Sequence, residues 1–334
     1  MRYFRYKYVF ILWVLFPIFV SGQGKIIAHR GASSIAPENT ITSYLKAIEA
    51  GADYIETDLR MSKDDSIMVI HDETLDRTTN GTGEVKNYGY QYLKSLSAGY
   101  SEKFGQEFAA EKIPALSEVL TLVKGKVNIC IDIKNTPETP VIQMIEKMKM
   151  TDNVVLMSYN IDKLKRIKAK APQIKTVLIK NILSNIDIEL AKEAGAYCVS
   201  GGFITPVSII KKAHKKGLEC WFGIIDDPAK AERLFNKRLD AAFTNYPQLM
   251  TMSREDEVLV YPNPFSNYIL IRLKNPEDIE NVQIIDNTGT EIYHTEGPFS
   301  KLLTWKPERD VRKGVLFIFI TGKENVFCEK VLFL

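Results

Sequence analysis

Glu56 and Asp58 stand two residues apart in the run "YIETD". On a β-strand, residues i and i+2 face the same side, so both carboxylates share one surface. If that surface is an interior, they repel one another and resist desolvation. A divalent cation resolves the conflict. Asp132, in "NICIDIK", offers a third carboxylate, and an all-oxygen set completed by water suits Mg²⁺ or Ca²⁺ rather than zinc. Two of the four histidines, His29 and His71, also follow apolar runs, and a pair of imidazoles can divide general-base and general-acid work near neutral pH. Arg30 and Lys134 add positive charge of the kind that stabilises the equatorial oxygens during displacement at phosphorus. Together these residues outline metal-assisted phosphodiester cleavage. His214, in "KKAHKKG", fits a solvated helix face, and His294 fits an exposed strand.

The elements that must bring these residues together are short apolar runs alternating with longer amphipathic ones from Lys25 to about Met252. The strand runs are "KIIAH", "YIETD", "VNICIDIK", "VVLMS", "KTVLI", "YCVSG", "ECWFGI" and "AAFTN". Between them, stretches such as "ENTITSYLKAIEAGA" and "NIDKLKRIKAKA" carry apolar residues at helical spacing with lysine-rich outer faces. Eight such strands predict an α/β fold, a (β/α)8 TIM barrel, with chemistry at the C-terminal strand ends. "IMVIHD" follows "YIETDLR" after only "MSKDDS", too few residues for a helical crossover, so it must return as a hairpin. Residues 73–118 then form an insertion over the barrel mouth. In the turn "AHRGASSIAPENT", Gly31 permits a tight reversal, and Asn39 or Thr40 is available to cap the first helix. After about Glu255, alternating apolar and polar residues around Asn-Pro and Thr-Gly turns predict a small all-β sandwich over 258–334.

The 44 basic and 41 acidic side chains leave a formal net charge of +3 in 334 residues, which gives no reason to expect nucleic acid as a partner. Arg2, Arg5 and Lys7 precede the 13 residues of "YVFILWVLFPIFV", and Val20, Ser21 and Gly22 supply a cleavage site, so residues 1–22 read as a signal peptide. The apolar run is short of the roughly 20 residues that a spanning helix needs. Cys130, Cys198, Cys220 and Cys328 show no CxxC spacing and are expected to be buried free thiols, with a Cys198–Cys220 bridge conceivable if their strands are neighbours.

The runs "HRGASSIAPENT", "ADYIETDLRMSKDDSIMVIHDETLDRTTNGTG", "IPALSEVL" and "CIDIK" resemble the glycerophosphodiester phosphodiesterase family over about Lys25 to Met252. The resemblance implies a phosphatidylinositol-phospholipase-C-like barrel, residues 23–254, that hydrolyses glycerophosphodiesters to glycerol 3-phosphate and an alcohol with one divalent cation, Mg²⁺ or Ca²⁺. Position by position, it implies His29 and His71 as catalytic, Glu56 and Asp58 as metal ligands with Asp132 in the third acidic position, and Arg30 and Lys134 as phosphate contacts. The late Trp221 is implied as a substrate contact. The sequence departs from the pattern at three points. Asp132 replaces a glutamate, "CWFGII" replaces a W-T-V-N element, and Thr244, Asn245, Tyr246 and Pro247 replace T-D-x-P. Separately, "VYPNPFSNYILIRL", "DNTGTEIY" and "GVLFIFITGKENVFCEKVLFL" resemble the type A sorting domain of the type IX secretion system. That resemblance implies that machinery as a partner and places the protein outside the cell, released or surface-attached; without it, export would stop in the periplasm.

The attacking group is either water or a substrate hydroxyl that forms a cyclic phosphate, and the sequence does not choose between them. Two rival readings use the same scaffold: a catalytically degenerate barrel that binds phosphorylated headgroups or wall polymers, and a lipid-cleaving enzyme of phospholipase D type. The oligomeric state is not specified.

Overall fold

The computed structural model of the chain describes residues 24–250, 257–261, 263, 265, 268–308 and 310–334. The expected signal peptide, 1–22, and the domain boundary near residue 254 lie outside the described residues. The first region contains nine strands: β1 (Lys25–Ala28), β2 (Tyr54–Met61), β3 (Ile67–Val69), β4 (Asn128–Asp132), β5 (Val154–Ser158), β6 (Lys175–Lys180), β7 (Cys198–Gly202), β8 (Glu219–Gly223) and β9 (Ala241–Thr244). All but β3 are parallel, run β1-β2-β4-β5-β6-β7-β8-β9 around the ring, and close through β9 against β1. Each of the eight expected runs overlaps one of these barrel strands. The strand β3 pairs antiparallel with β2 through Leu59–Val69, Arg60–Met68 and Met61–Ile67, the hairpin required by its short connection.

The barrel strands read as nearly unbroken apolar runs because both faces are covered. Tyr54, Cys130, Val155, Val177, Cys198 and Trp221 fill the interior, whereas their neighbours Ile55, Ile129, Leu156, Leu178 and Val199 pack under the outer helices. This alternation settles the cysteine question. Cys198 faces inward and Cys220 outward on adjacent strands, so the two thiols lie on opposite sides of the wall; all four cysteines are free, and three are buried as expected whereas Cys328, on an outer strand of the C-terminal region, is exposed.

The outer helices start where the sequence offers caps. Thr40 Oγ1 accepts from Ser43 N at the start of the helix Ile41–Glu49, and Asn160 Oδ1 accepts from Asp162 N and Lys163 N at the start of Ile161–Lys170. Asn39, the other candidate cap, turns toward the barrel instead. The helix Leu116–Val123 begins inside the expected 73–118 insertion and makes the crossover to β4, so the last residues of that range belong to the barrel wall. The preceding loop has its own apolar cluster, including Met68, Leu75, Leu93 and Ile113. Lys103 Nζ donates to Ser33 O across 2.6 Å and ties that loop to the β1 rim.

The C-terminal region contains β10 (Val258–Tyr261), β11 (Ile269–Leu273), β12 (Ile279–Asp286), β13 (Glu291–Glu296), β14 (Leu302–Trp305), β15 (Gly314–Gly322) and β16 (Val326–Phe333). They form antiparallel sheets ordered β10-β11-β14 and β13-β12-β15-β16, which enclose Ile271, Val282, Ile284, Trp305 and Ile318. This is the expected all-β domain.

The turn after β1 leaves no room for a side chain at Gly31. Gly31 has φ +83°, and a Cβ there would lie 2.4 Å from Ser43 Oγ and 2.7 Å from the Ser43 carbonyl carbon. Gly51 has φ +75° and open space around it. Gly51→Ala is therefore expected to cost only the left-handed penalty of about 1–2 kcal/mol. Gly31→Ala should cost about 2–4 kcal/mol because the backbone of the first helix must also yield. Urea unfolding of the two variants measures the difference.

Candidate active site

The C-terminal ends of β1, β2 and β4 meet at one mouth. Because Glu56 and Asp58 are two apart on β2, both point inward, and the register pairs Asp58 directly with Asp132 on β4. Glu56, Asp58 and Asp132 are 3, 2 and 3 % exposed, so three carboxylates share a desolvated space. Two cations hold them there. Lys134 Nζ lies 3.0 Å from Asp58 Oδ1 and 2.5 Å from Asp132 Oδ2. Arg30 Nε lies 3.2 Å from Asp58 Oδ2, and the Arg30 backbone N–H donates to Glu56 Oε2 at 2.9 Å. Asn39 Nδ2 adds a 2.9 Å hydrogen bond to Asp58 Oδ2, and Tyr44 O–H in turn donates to Asn39 Oδ1.

The electrostatics of the carboxylates are uneven. Burial raises Glu56 well above the usual carboxylate range, and the Asp58 charge reinforces that shift. Burial also pushes Asp58 upward, but Arg30 and Lys134 outweigh it and hold that carboxyl low and ionised. Asp132 is raised by burial in spite of Lys134. Glu56 is thus the acid with the least compensation. The set is hard, oxygen-only and anionic, which fits Mg²⁺ or Ca²⁺. Among the described residues no three ligand-type side chains converge in metal-binding geometry; Asp58 and Asp132 converge on Lys134 instead.

The histidines sit on either side of this cluster with different partners. His29 Nδ1 is 2.9 Å from Asn245 Oδ1. Asn245 Nδ2 donates to Asp226 Oδ2 at 2.8 Å, and its backbone N–H donates to Asp226 Oδ1 at 2.8 Å. A carboxylate only accepts, so the amide nitrogen must face Asp226 and the amide oxygen must face His29. The His29 proton is thereby fixed on Nδ1, leaving a lone pair on Nε2. Desolvation lowers His29 to about 4, and Arg30 contributes in the same direction. His71 Nδ1 instead meets Asp72 Oδ1 at 2.6 Å. Arg77 Nε donates to Asp72 Oδ2 at 2.7 Å and holds that carboxyl at about 2. Arg77 also bridges to Glu38 through two 2.8 Å hydrogen bonds, and Glu38 pairs with Arg30 at 2.8 Å.

All four cluster residues from β2, β4 and its loop, together with His29, Arg30 and His71, line one cavity of about 470 Å³. Trp221 does not. It is fully buried, packs against Tyr54 and Phe243, and donates Nε1 to Glu219 Oε2 at 2.8 Å, toward the opposite end of the barrel. The expected substrate contact at Trp221 is therefore corrected to a core role, because its strand position turns it inward below the mouth. The remaining histidines lie elsewhere: His214 pairs with Asp240, and His294 lies near Glu291 and Glu296. Sequence reading did not single out Glu38, Arg77, Asn39 or Asp226 as parts of this site. Glu38 and Asn39 sit in a stretch that also starts a helix, and Asp226 adjoins Asp227, which caps another.

Comparison with known proteins identifies the family of the barrel. Residues 29–249 match the glycerophosphoryl diester phosphodiesterase family, and residues 259–333 match the secretion system C-terminal sorting domain. A glycerophosphodiester phosphodiesterase of Caldanaerobacter subterraneus subsp. tengcongensis is 34% identical over 233 residues, 67% of this chain and 95% of the relative. One from Bacillus subtilis is 33% identical over 246 residues, 67% of this chain and 84% of the relative. Among solved structures, a glycerophosphodiester phosphodiesterase from Agrobacterium tumefaciens superposes with a TM-score of 0.62 at 30% identity, covering 68% of this chain and 99% of that one. An Oleispira antarctica phosphodiesterase, in complex with the product sn-glycerol-3-phosphate, gives 0.63 at 28% identity, covering 68% and 95%. The family match covers most of the chain and includes the histidines and carboxylates at the barrel mouth: the chain belongs to the glycerophosphoryl diester phosphodiesterase family and carries a C-terminal sorting domain of the type IX secretion system.

Proposed function

We propose that the protein hydrolyses glycerophosphodiesters to glycerol 3-phosphate and an alcohol outside the cell, with His29 and His71 as its proton-transfer pair. The observation that carries this reading is the meeting of two differently partnered histidines, two cations and three buried carboxylates on one cavity. Enzymes of the family are generally divalent-cation dependent. Glu56, Asp58 and Asp132 are the residues that would hold the cation, Mg²⁺ or Ca²⁺. When bound, it supplies positive charge at a nonbridging phosphate oxygen and at the attacking oxygen.

The partners of the histidines divide their work. His29, neutral with its lone pair on Nε2, takes the proton of the attacking group. His71, paired with ionised Asp72, is suited to carry a second proton and deliver it to the leaving alkoxide. Arg30 Nε is buried without a hydrogen-bond partner in spite of its proximity to Asp58, so it is free to donate to a phosphate oxygen. Lys134 lies on the other side of Asp58 and adds charge where the equatorial oxygens gather it.

Export follows from the sorting domain; we infer further that the barrel acts after that domain has been processed, either released or retained at the cell surface.

Two outcomes follow. His29→Ala and His71→Ala should each lower kcat/KM for glycerophosphocholine by about 10²–10⁴ in the presence of Mg²⁺ or Ca²⁺. Near-normal turnover in either would remove that residue from the mechanism, and headgroup binding with no turnover in the parent would favour the degenerate binding barrel. In an NMR titration of the metal-free protein, His29 should titrate near 4, well below a free imidazole at 6.5. Arg30→Met, which removes a cation that depresses it, should move that titration upward.

A further inference from the structure

His29 can serve as a base at Nε2 only with its proton on Nδ1, and that depends on which way round the Asn245 amide lies. An imidazole in water carries its proton mostly on Nε2, so a hydrogen bond has to impose the other form. Little else about Asn245 is free to vary. Its backbone is tied to the β1 turn, because His29 N–H donates to Thr244 O at 2.9 Å and Ser34 N–H donates to Asn245 O at 3.1 Å. What remains is a half-turn of the amide, which exchanges oxygen for nitrogen at His29 with almost no change of shape.

Asp226 removes that freedom. It lies in the loop after β8, between two fixed neighbours. Ile225 N–H donates to Phe243 O at 2.8 Å, and the Asp227 side chain accepts from Ala229 N and Lys230 N at the start of the helix Pro228–Phe235. Thr244 Oγ1 accepts from Tyr246 N–H at 3.1 Å and donates to Asp226 Oδ1 at 3.0 Å. The same Oδ1 accepts the Asn245 backbone N–H at 2.8 Å, which leaves Oδ2 facing the Asn245 amide, where it takes Nδ2 at 2.8 Å. An inverted amide would set oxygen against carboxylate oxygen and forfeit a charge-assisted hydrogen bond.

We propose that Asp226 is a positioning residue for the reaction: by fixing the Asn245 amide it sets the His29 tautomer and keeps the Nε2 lone pair available. This deepens the hydrolase reading above and rests on it for the role of His29. The isosteric change Asp226→Asn separates that role from simple support of the loop. The backbone N–H of Asn245 still requires an oxygen, so the new amide must turn its NH2 toward the Asn245 side chain. Two NH2 groups cannot satisfy one another. The Asn245 amide therefore inverts, offers its own NH2 to His29 Nδ1, and drives the imidazole proton to Nε2. Exchanging the charges, Asp226→Asn together with Asn245→Asp, restores the polarity. One oxygen of the carboxylate at 245 accepts from the amide at 226, and the other accepts from His29 Nδ1–H.

The test labels the histidines of the full chain with nitrogen-15 and reads by NMR, at neutral pH without metal, which ring nitrogen of His29 bears the proton. The His29 signal is identified by its loss in His29→Gln. Turnover of glycerophosphocholine by the same variants is measured with Mg²⁺ or Ca²⁺ supplied. The parent should carry the proton on Nδ1. Asp226→Asn should carry it on Nε2, with kcat lower by about 10²-fold or more at little-changed KM. The exchange variant should return the proton to Nδ1 and recover most of the lost rate. A proton that stays on Nδ1 in Asp226→Asn would overturn the proposal, and that reading alone decides if the exchange variant does not fold. Near-parent turnover by Asp226→Asn, or a folded exchange variant no faster than the single one, would overturn it too. A parent that cleaves no glycerophosphodiester would overturn the hydrolase reading instead, and the tautomer measurement would still decide whether Asp226 orients His29.

Discussion

Three carboxylates in a space nearly closed to water is the condition to which the rest of the barrel mouth answers. Glu56, Asp58 and Asp132 are each at most 3 % exposed, and buried like charges persist only when paired or neutralised. Lys134 and Arg30 divide Asp58 between them, and Asn39 satisfies what remains of it. Glu56 receives only the backbone N–H of Arg30 among the described hydrogen bonds, and its raised pKa records the deficit. A divalent cation is the partner whose charge and ligand preference meet that deficit.

The backbone bends to meet the same condition. Arg30, Asn39 and Lys134 all have positive φ, 58°, 58° and 37°, although none is glycine. Such conformations cost on the order of 1–3 kcal/mol each and persist where the surroundings over-determine them. Here each brings a polar side chain to Asp58, and Gly31 allows the reversal next to Arg30. The two histidines are then differentiated by what stands behind them. An amide anchored to Asp226 backs His29, and a carboxylate anchored to Arg77 backs His71. At one of the points where the sequence departs from the family pattern, Asn245 for aspartate, the side chain thus still holds an imidazole, with Asp226 supplying the charge one step further back.

Much of this was legible in advance because the signals were periodic or chemically unusual. Strands buried on both faces leave uninterrupted apolar runs, and polar residues at the ends of such runs stand out, which is how His29, Glu56, Asp58 and Asp132 were found. The spacing of "YIETD" alone placed two carboxylates on one face. Trp221 was misplaced because a tryptophan on a barrel strand points inward whether it sits at the mouth or below it, and only the depth along the strand decides. Glu38, Arg77 and Asp226 were invisible for a different reason. They act across loops far apart in sequence, and each lies next to residues with a sufficient local explanation as helix starts or turns.

The carboxylate cluster is, on this reading, a cation site that Lys134 and Arg30 hold together in the cation's absence. Thermal unfolding with and without Mg²⁺ or Ca²⁺, on the parent chain and on Glu56→Gln and Asp58→Asn, tests it most directly. Binding to the folded state alone stabilises by about 2.7 kcal/mol at a hundred times the dissociation constant, which is a rise of several degrees at this size. The parent should show that rise with one or both ions, and each variant should lose most of it. A parent indifferent to both ions, or variants that respond as fully as the parent, would contradict the account.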